Sequence, residues 1–345
     1  MSFGFRPIFA LLGIVAAALL TIAMLMTFTR PPVVTVQGGF RGTAMETVYN
    51  RGEIESYLAK NVVPASLPYA GNVGPKAGTV YKNVQVLGDV SVGEFTRLMV
   101  SITNWVSPTQ GCAGCHNTAN MAEDSVYTKV VARRMLQMVQ HINADYQPHV
   151  AQTGVTCYTC HRGQLVPSQI WFAPEPPRFN GLAETGTGRG RASAAAGDSA
   201  LPYDPFTPYF EKDADIRVQA AQALPGTDPH SINETEWTYA LMMHFANSLG
   251  VNCTYCHNTR AFGSWEESTP KRVTAWHGIL MVRDLNDNYL NPLRTVFPAG
   301  RLGPTGDSPK VNCATCHQGV FKPLYGVSMV STFPELKAPG PTAAR

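Results

Sequence analysis

Eight cysteines fall into four copies of Cys-x-x-Cys-His: Cys112, Cys115 and His116; Cys157, Cys160 and His161; Cys253, Cys256 and His257; Cys313, Cys316 and His317. No cysteine lies outside these motifs. The spacing is the attachment signature of a c-type haem. Each thiol can form a thioether to a haem vinyl group, and the adjacent imidazole then becomes the proximal iron ligand. Zinc sites and dithiol redox pairs also use Cys-x-x-Cys. Neither explains a histidine after every second cysteine. The sequence therefore predicts four covalently bound haem c groups and a chain whose bulk lies outside the cytoplasm, where such haems are attached.

The second axial ligand decides what the irons do. An open position admits a substrate, whereas a His or Met there leaves electron transfer. Met99 lies 17 residues before His116 and Met242 lies 15 before His257, plausible reaches for a helix, a turn and a haem motif. Met243 adjoins Met242 on a face about 100° away. For the second haem Met135 and Met138 compete, and spacing does not choose. Each of these methionines could equally be core packing. The fourth haem differs, because Gly278 stands where an internal repeat places Met135. Five histidines lie outside the motifs: His141, His149, His230, His244 and His277. One of them is expected to close the fourth iron.

Helices must present these groups. Apolar residues at helical spacing precede every motif: Phe95, Leu98, Met99, Ile102 and Val106; Val126, Val130, Met135, Met138 and Ile142; Trp237, Leu241, Met242, Phe245 and Leu249; Val273, Trp276 and Leu280. The motifs form two pairs, and Met138–Tyr146 aligns without gaps on Met281–Tyr289. The reading is a mainly α protein with long irregular segments, a multihaem cytochrome c built from two pseudo-symmetric two-haem halves, plus one N-terminal transmembrane helix. The expected divisions are an anchor (1–30), a loop-rich segment (31–89), a first two-haem module (90–172), a linker (173–208), a second two-haem module (209–320) and a tail (321–345). Thr79–Val86 is expected to be extended. The linker, rich in Pro, Gly, Ala and Ser, is expected to be irregular surface chain. Gly186–Gly190 within it lacks the flanking strand and helix of a phosphate loop. The tail has four prolines and is expected to lie across a partner.

Ile8–Phe28 is an uncharged apolar run of 21 residues between Arg6 and Arg30. At about 1.5 Å per residue it spans the hydrocarbon core of a bilayer. Signal-peptide apolar regions are usually shorter, and Thr29-Arg30-Pro31-Pro32 is a poor cleavage context. An uncleaved single-pass anchor in a bacterial inner membrane is expected, with the haem domain on the periplasmic side. Net charge is +3 and only 15% of the 345 residues are charged, which does not suggest nucleic acid.

Three stretches carry a family resemblance: Trp105–Cys112, Gly154–Gly163 through Cys157-Tyr-Thr-Cys160-His161-Arg162, and Leu249–Arg260 through Cys253-Thr-Tyr-Cys256-His257-Asn258. They closely resemble the tetrahaem cytochrome c subunit of purple-bacterial photosynthetic reaction centres, over about residues 80–320. The resemblance implies an electron carrier with six-coordinate haems, not an enzyme. It would relay electrons from a soluble cytochrome c or a high-potential iron–sulfur protein to the photo-oxidised bacteriochlorophyll pair. Its partners would be the reaction-centre L, M and H subunits, with a light-harvesting complex around them. The resemblance assigns Met99, Met135 and Met242 to three haems and His149, from the other half, to the fourth. Many family members begin with a lipid-modified cysteine; this chain has the apolar run Ile8–Phe28 instead. Two alternatives are a membrane-anchored tetrahaem quinol dehydrogenase, which explains the anchor equally well, and a multihaem nitrogen-oxide reductase, which needs an open haem face.

Overall fold

The computed structural model describes residues 6–28, 33–38, 45–175, 193–216 and 232–337. His230, residues 176–192 of the expected linker and the last eight residues of the tail lie outside them. The first helix, α1 (Arg6–Thr27), exposes its apolar side chains along its whole length. It is the one helix among the described residues long and apolar enough to cross a membrane.

Strands β1 (Val33–Gly38) and β2 (Met45–Asn50) pair antiparallel, with Val33 opposite Asn50 and Gly38 opposite Met45. Asn50 ends the strand and caps α2 (Arg51–Lys60), its side-chain oxygen accepting from Gly52 N at 2.9 Å. Glu53 in the first turn and Lys60 in the last suit the helix dipole. The loop-rich expectation for 31–89 thus missed a hairpin and a helix. Thr79–Val86 is not extended either. It enters a short helix, α3 (Ala77–Val80), and then turns, with Asn83 and Leu87 in the left-handed region.

The remaining helices surround the four motifs. The first set is α4 (Val92–Val106), α5 (Tyr127–Asp145), α6 (Gln147–Val150) and α7 (Cys157–His161). The second is α8 (Ile232–Leu249), α9 (Pro270–Asp284) and α10 (Cys313–His317), with α9 running into a π-helical turn over Leu285–Leu290. Ser91 caps α4 by accepting from Glu94 N. Glu94 pairs with Arg97 in the interior, where Arg97 also donates to Leu67 O and Thr332 O. Helix α4 packs on α7, α8 on α10, and α7 on α10. Leu98, Trp105, Leu241, Phe206, Phe210 and Phe333 fill the core, each stabilising the fold by roughly 1.5–3 kcal/mol.

Three expectations need correction. On α9 the inward face centres on Ala275, Gly278, Ile279, Met281 and Val282, nearly opposite the predicted one; Val273 is 49% exposed, and Trp276, 37% exposed, only edges the cavity. Small residues make that inward face weakly apolar, so the larger outward residues dominated the pattern. The end of the expected linker is not surface chain, because Ala196 and Phe206 are buried. The tail crosses its own chain: Phe333 sits edge-on to Trp105 at 4.7 Å, and Leu336 O accepts from Asn143 Nδ2 at 2.8 Å.

Candidate haem-binding site

One continuous cavity of about 1520 Å³ runs through the protein, and all four motifs open onto it. All eight cysteines flank it: Cys112, Cys115, Cys157, Cys160, Cys253, Cys256, Cys313 and Cys316. None forms a disulfide. Burial pushes the Cys157 and Cys313 thiols up to about 12 and Cys256 up to about 11. These surroundings penalise a thiolate and suit a neutral thioether.

The histidines are oriented by backbone. His116 Nδ1 faces Met121 O at 3.2 Å, His161 Nδ1 faces Gln164 O at 2.8 Å, His257 Nδ1 faces Phe262 O at 2.9 Å, and His317 Nδ1 faces Val320 O at 2.9 Å. A carbonyl can only accept, so each Nδ1 carries the proton and donates. Each Nε2 is then left with a lone pair, as a metal-ligating imidazole requires. Burial holds His161 below the usual histidine range and brings His317 to about 4, which favours the neutral form.

His149 shares this arrangement. Its Nδ1 donates to Thr274 O at 2.9 Å, and its ring centroid lies 6.1 Å from that of His317. Two imidazole nitrogens at about 2.0–2.1 Å from one metal put their ring centres about 6 Å apart. Gly278 makes the room: a Cβ there would fall 2.6 Å from His149 Cε1. The other described histidines are placed differently. His141 lies between Asp145 and Asp284, each 2.6 Å from a ring nitrogen. His244 is packed against Phe206 and hydrogen-bonded to Ser248. His277 does not line the cavity. The residues present therefore fit haem c, and they bring His149 to the fourth motif across 168 positions of chain.

Met99, Met135, Met138, Met242 and Met243 all line the cavity. Two hydrogen bonds set their register. Gly163 N, two residues past His161, donates to Trp105 O at 2.8 Å; Gly319 N, two past His317, donates to Ser248 O at 2.9 Å. Trp105 is six residues after Met99, and Ser248 is six after Met242. The Met243 methyl points toward Gly197, 3.4 Å from an ideal Cβ there. Met138 and Met281, equivalent in the repeat, are both buried core residues.

Two positioning residues were missed from sequence. Asn143 donates to Val155 O at 2.9 Å and accepts from Val155 N at 2.7 Å. Asn286 does the same for Val311, at 3.1 and 2.9 Å. Val155 and Val311 each precede the first cysteine of their motif by two residues. The two asparagines occupy matching places in the Met138–Tyr146 and Met281–Tyr289 echo, which was the available signal.

A family model described as "Photosynthetic reaction centre cytochrome C subunit" matches residues 29–337. The chain is 51% identical over 325 residues to the photosynthetic reaction center cytochrome c subunit of Rubrivivax gelatinosus, covering 93% of this chain and 88% of that one. It is 51% identical over 314 residues to that of Thermochromatium tepidum, covering 91% and 77%. With that of Roseobacter denitrificans the identity is 38% over 341 residues, covering 94% and 92%. The chain belongs to the photosynthetic reaction centre cytochrome c subunit family: a membrane-associated electron carrier with covalently bound haem c.

Proposed function

We propose that four haem c groups occupy the cavity, on Cys112/Cys115, Cys157/Cys160, Cys253/Cys256 and Cys313/Cys316. His116, His161, His257 and His317 are the proximal ligands. Met99, Met135 and Met242 close the first three irons, and His149 closes the fourth. The observation that carries this reading is the fifth histidine: His149 shares the Nδ1–H tautomer of the motif histidines and faces His317 at 6.1 Å. The matching bonds to Trp105 O and Ser248 O favour Met242 over Met243, and the matching burial of Met138 and Met281 leaves Met135.

Residues 90–172 and 209–320 then form two related two-haem halves. In support, the motif-histidine carbonyl partner comes five residues later in motifs one and three and three residues later in motifs two and four. The asparagine clamps and the φ of 49° at Arg162 and 48° at Gln318 repeat as well. Helix α1 is a single-pass anchor in the bacterial inner membrane, with the remaining chain in the periplasm.

When bound, the haem irons supply one-electron couples between a soluble donor, a small cytochrome c or a high-potential iron–sulfur protein, and the bacteriochlorophyll pair held by the L, M and H subunits. The chain's own groups do the rest. Thioether cysteines fix one edge of each porphyrin, and the carbonyls fix each proximal ring. A second axial side chain blocks small ligands, so electron transfer is left as the reaction. The apolar walls exclude water and keep charge changes poorly solvated, which spreads the potentials according to ligand and nearby charge. Flash excitation of membranes containing the complex tests the relay. Oxidation of a c-type haem after the flash is expected. Haems that stay reduced after every flash, while quinol reduces them, would favour the quinol dehydrogenase.

A further inference from the structure

The second and fourth motifs pack against each other through α7 and α10, and two side chains cross between them. Arg162 follows His161 at the end of α7, and Gln318 follows His317 at the end of α10. Arg162 Nη2 donates to Cys316 O at 3.3 Å and to Asn61 Oδ1 at 3.1 Å. Gln318 Nε2 donates back to Cys160 O at 3.4 Å. The crossing is reciprocal in position and unequal in charge.

Arg162 is also poorly compensated. Its Nε and Nη1 are buried with no hydrogen-bond partner. Its guanidinium carbon lies 5.5 Å from the Tyr158 ring centroid, and among the described residues no carboxylate forms a salt bridge with it. An arginine keeps its charge even when buried. A fixed cation disfavours the extra positive charge of ferric iron and so raises the reduction potential. The guanidinium reaches away from its own motif: its Nη2 donates to the carbonyl of Cys316, the residue immediately before His317.

We infer that Arg162 sets the potential of the haem in the other half, raising that of the haem held by Cys313, Cys316 and His317. This inference rests on the four-haem ligation proposed above. A bis-His iron has a lower potential than its Met-ligated neighbours, other things equal, and a cation from the first half narrows that step where the halves meet.

The test is a potentiometric titration of the purified holo-complex, with each haem resolved by ligand-sensitive spectroscopy. In Arg162→Gln the bis-His haem is expected to fall at least tenfold in its reduction equilibrium constant, equivalent to 59 mV for one electron. The fall is expected to exceed that at the Cys157/Cys160 haem. Arg162→Lys keeps the charge while losing the fork, and is expected to retain most of the potential. Asn61→Asp places a carboxylate beside an intact Arg162 and is expected to lower the same potential, which keeps the test alive if Arg162→Gln does not assemble. The inference is overturned if Asn61→Asp and Arg162→Gln leave the bis-His midpoint unchanged, if Arg162→Lys lowers it as much as Arg162→Gln, or if the Cys157/Cys160 haem moves more. Absence of a bis-His signal in the unsubstituted complex would instead sink the ligation scheme.

Discussion

Gly278→Ala is the sharpest probe of how the two halves are joined. The added Cβ would lie 2.6 Å from His149 Cε1, 2.9 Å from Nδ1 and 3.3 Å from Nε2. Carbon contacts are comfortable at about 3.5–4.0 Å, so the ring must retreat by roughly 1 Å. It cannot do so freely, because Nδ1 is tied to Thr274 O on the same helix. Overpacking of this kind costs about 1–3 kcal/mol. Removing a glycine from the interior of α9 returns about 0.5–1 kcal/mol of helix stability. That gain does not depend on where the His149 ring sits, so it offsets the global cost and leaves the ligation cost intact. The ligation equilibrium should therefore weaken by about 5- to 150-fold, with a smaller change in overall stability. Electron paramagnetic resonance would count the bis-His haem, and carbon monoxide would report a newly open iron. Full bis-His occupancy with no carbon monoxide binding in the alanine variant would refute the placement of His149.

Three further outcomes are expected. Asn286→Ala strands Val311 N and Phe210 O, while Val311 O keeps its bond from Trp171 Nε1, and each buried polar group left unpaired costs about 1–3 kcal/mol; thermal unfolding of the holoprotein should drop, and Asn143→Ala should lower it too. Met135→Leu and Met242→Leu should each abolish one Met-ligated ferric signature in the near infrared, whereas Met138→Leu and Met243→Leu should leave all of them. Burial raises the Glu335 carboxyl to about 7, beside Glu94 and Arg97, with both carboxylate oxygens unpartnered. The folded state then binds more protons than the unfolded state between about pH 4.5 and 7, so this contribution to stability is present below that window and is lost as pH rises through it. Glu335→Gln should flatten that part of the stability–pH curve; an unchanged slope in denaturant titrations would contradict the assignment.

The cysteine motifs were legible because covalent chemistry leaves an invariant spacing in the chain. The helices carrying Met99, Met135 and Met242 were legible because their apolar stripes are long. Helix α9 was found but turned the wrong way, since the face that admits His149 is built from Thr274, Ala275 and Gly278 and carries little hydrophobic signal. What no local pattern can carry is the meeting of His149 with His317, made by the packing of α6 on α9. The tail misled for the opposite reason. Prolines suppressed any helical pattern, yet Val330, Phe333 and Leu336 bury against the first half. Asn143 and Asn286 were visible as an echo, but their role needed Val155 and Val311 beside them.

The central claim is four haems, three closed by methionine and one by a histidine from the other half. Potentiometric titration of the purified complex, followed by optical and electron paramagnetic resonance spectroscopy with chemical haem counting, tests it most directly. The account predicts four one-electron centres per chain, three with Met/His signatures and one bis-His centre that is lost in His149→Ala. Four alike bis-His centres, or a bis-His centre that survives His149→Ala, would contradict it.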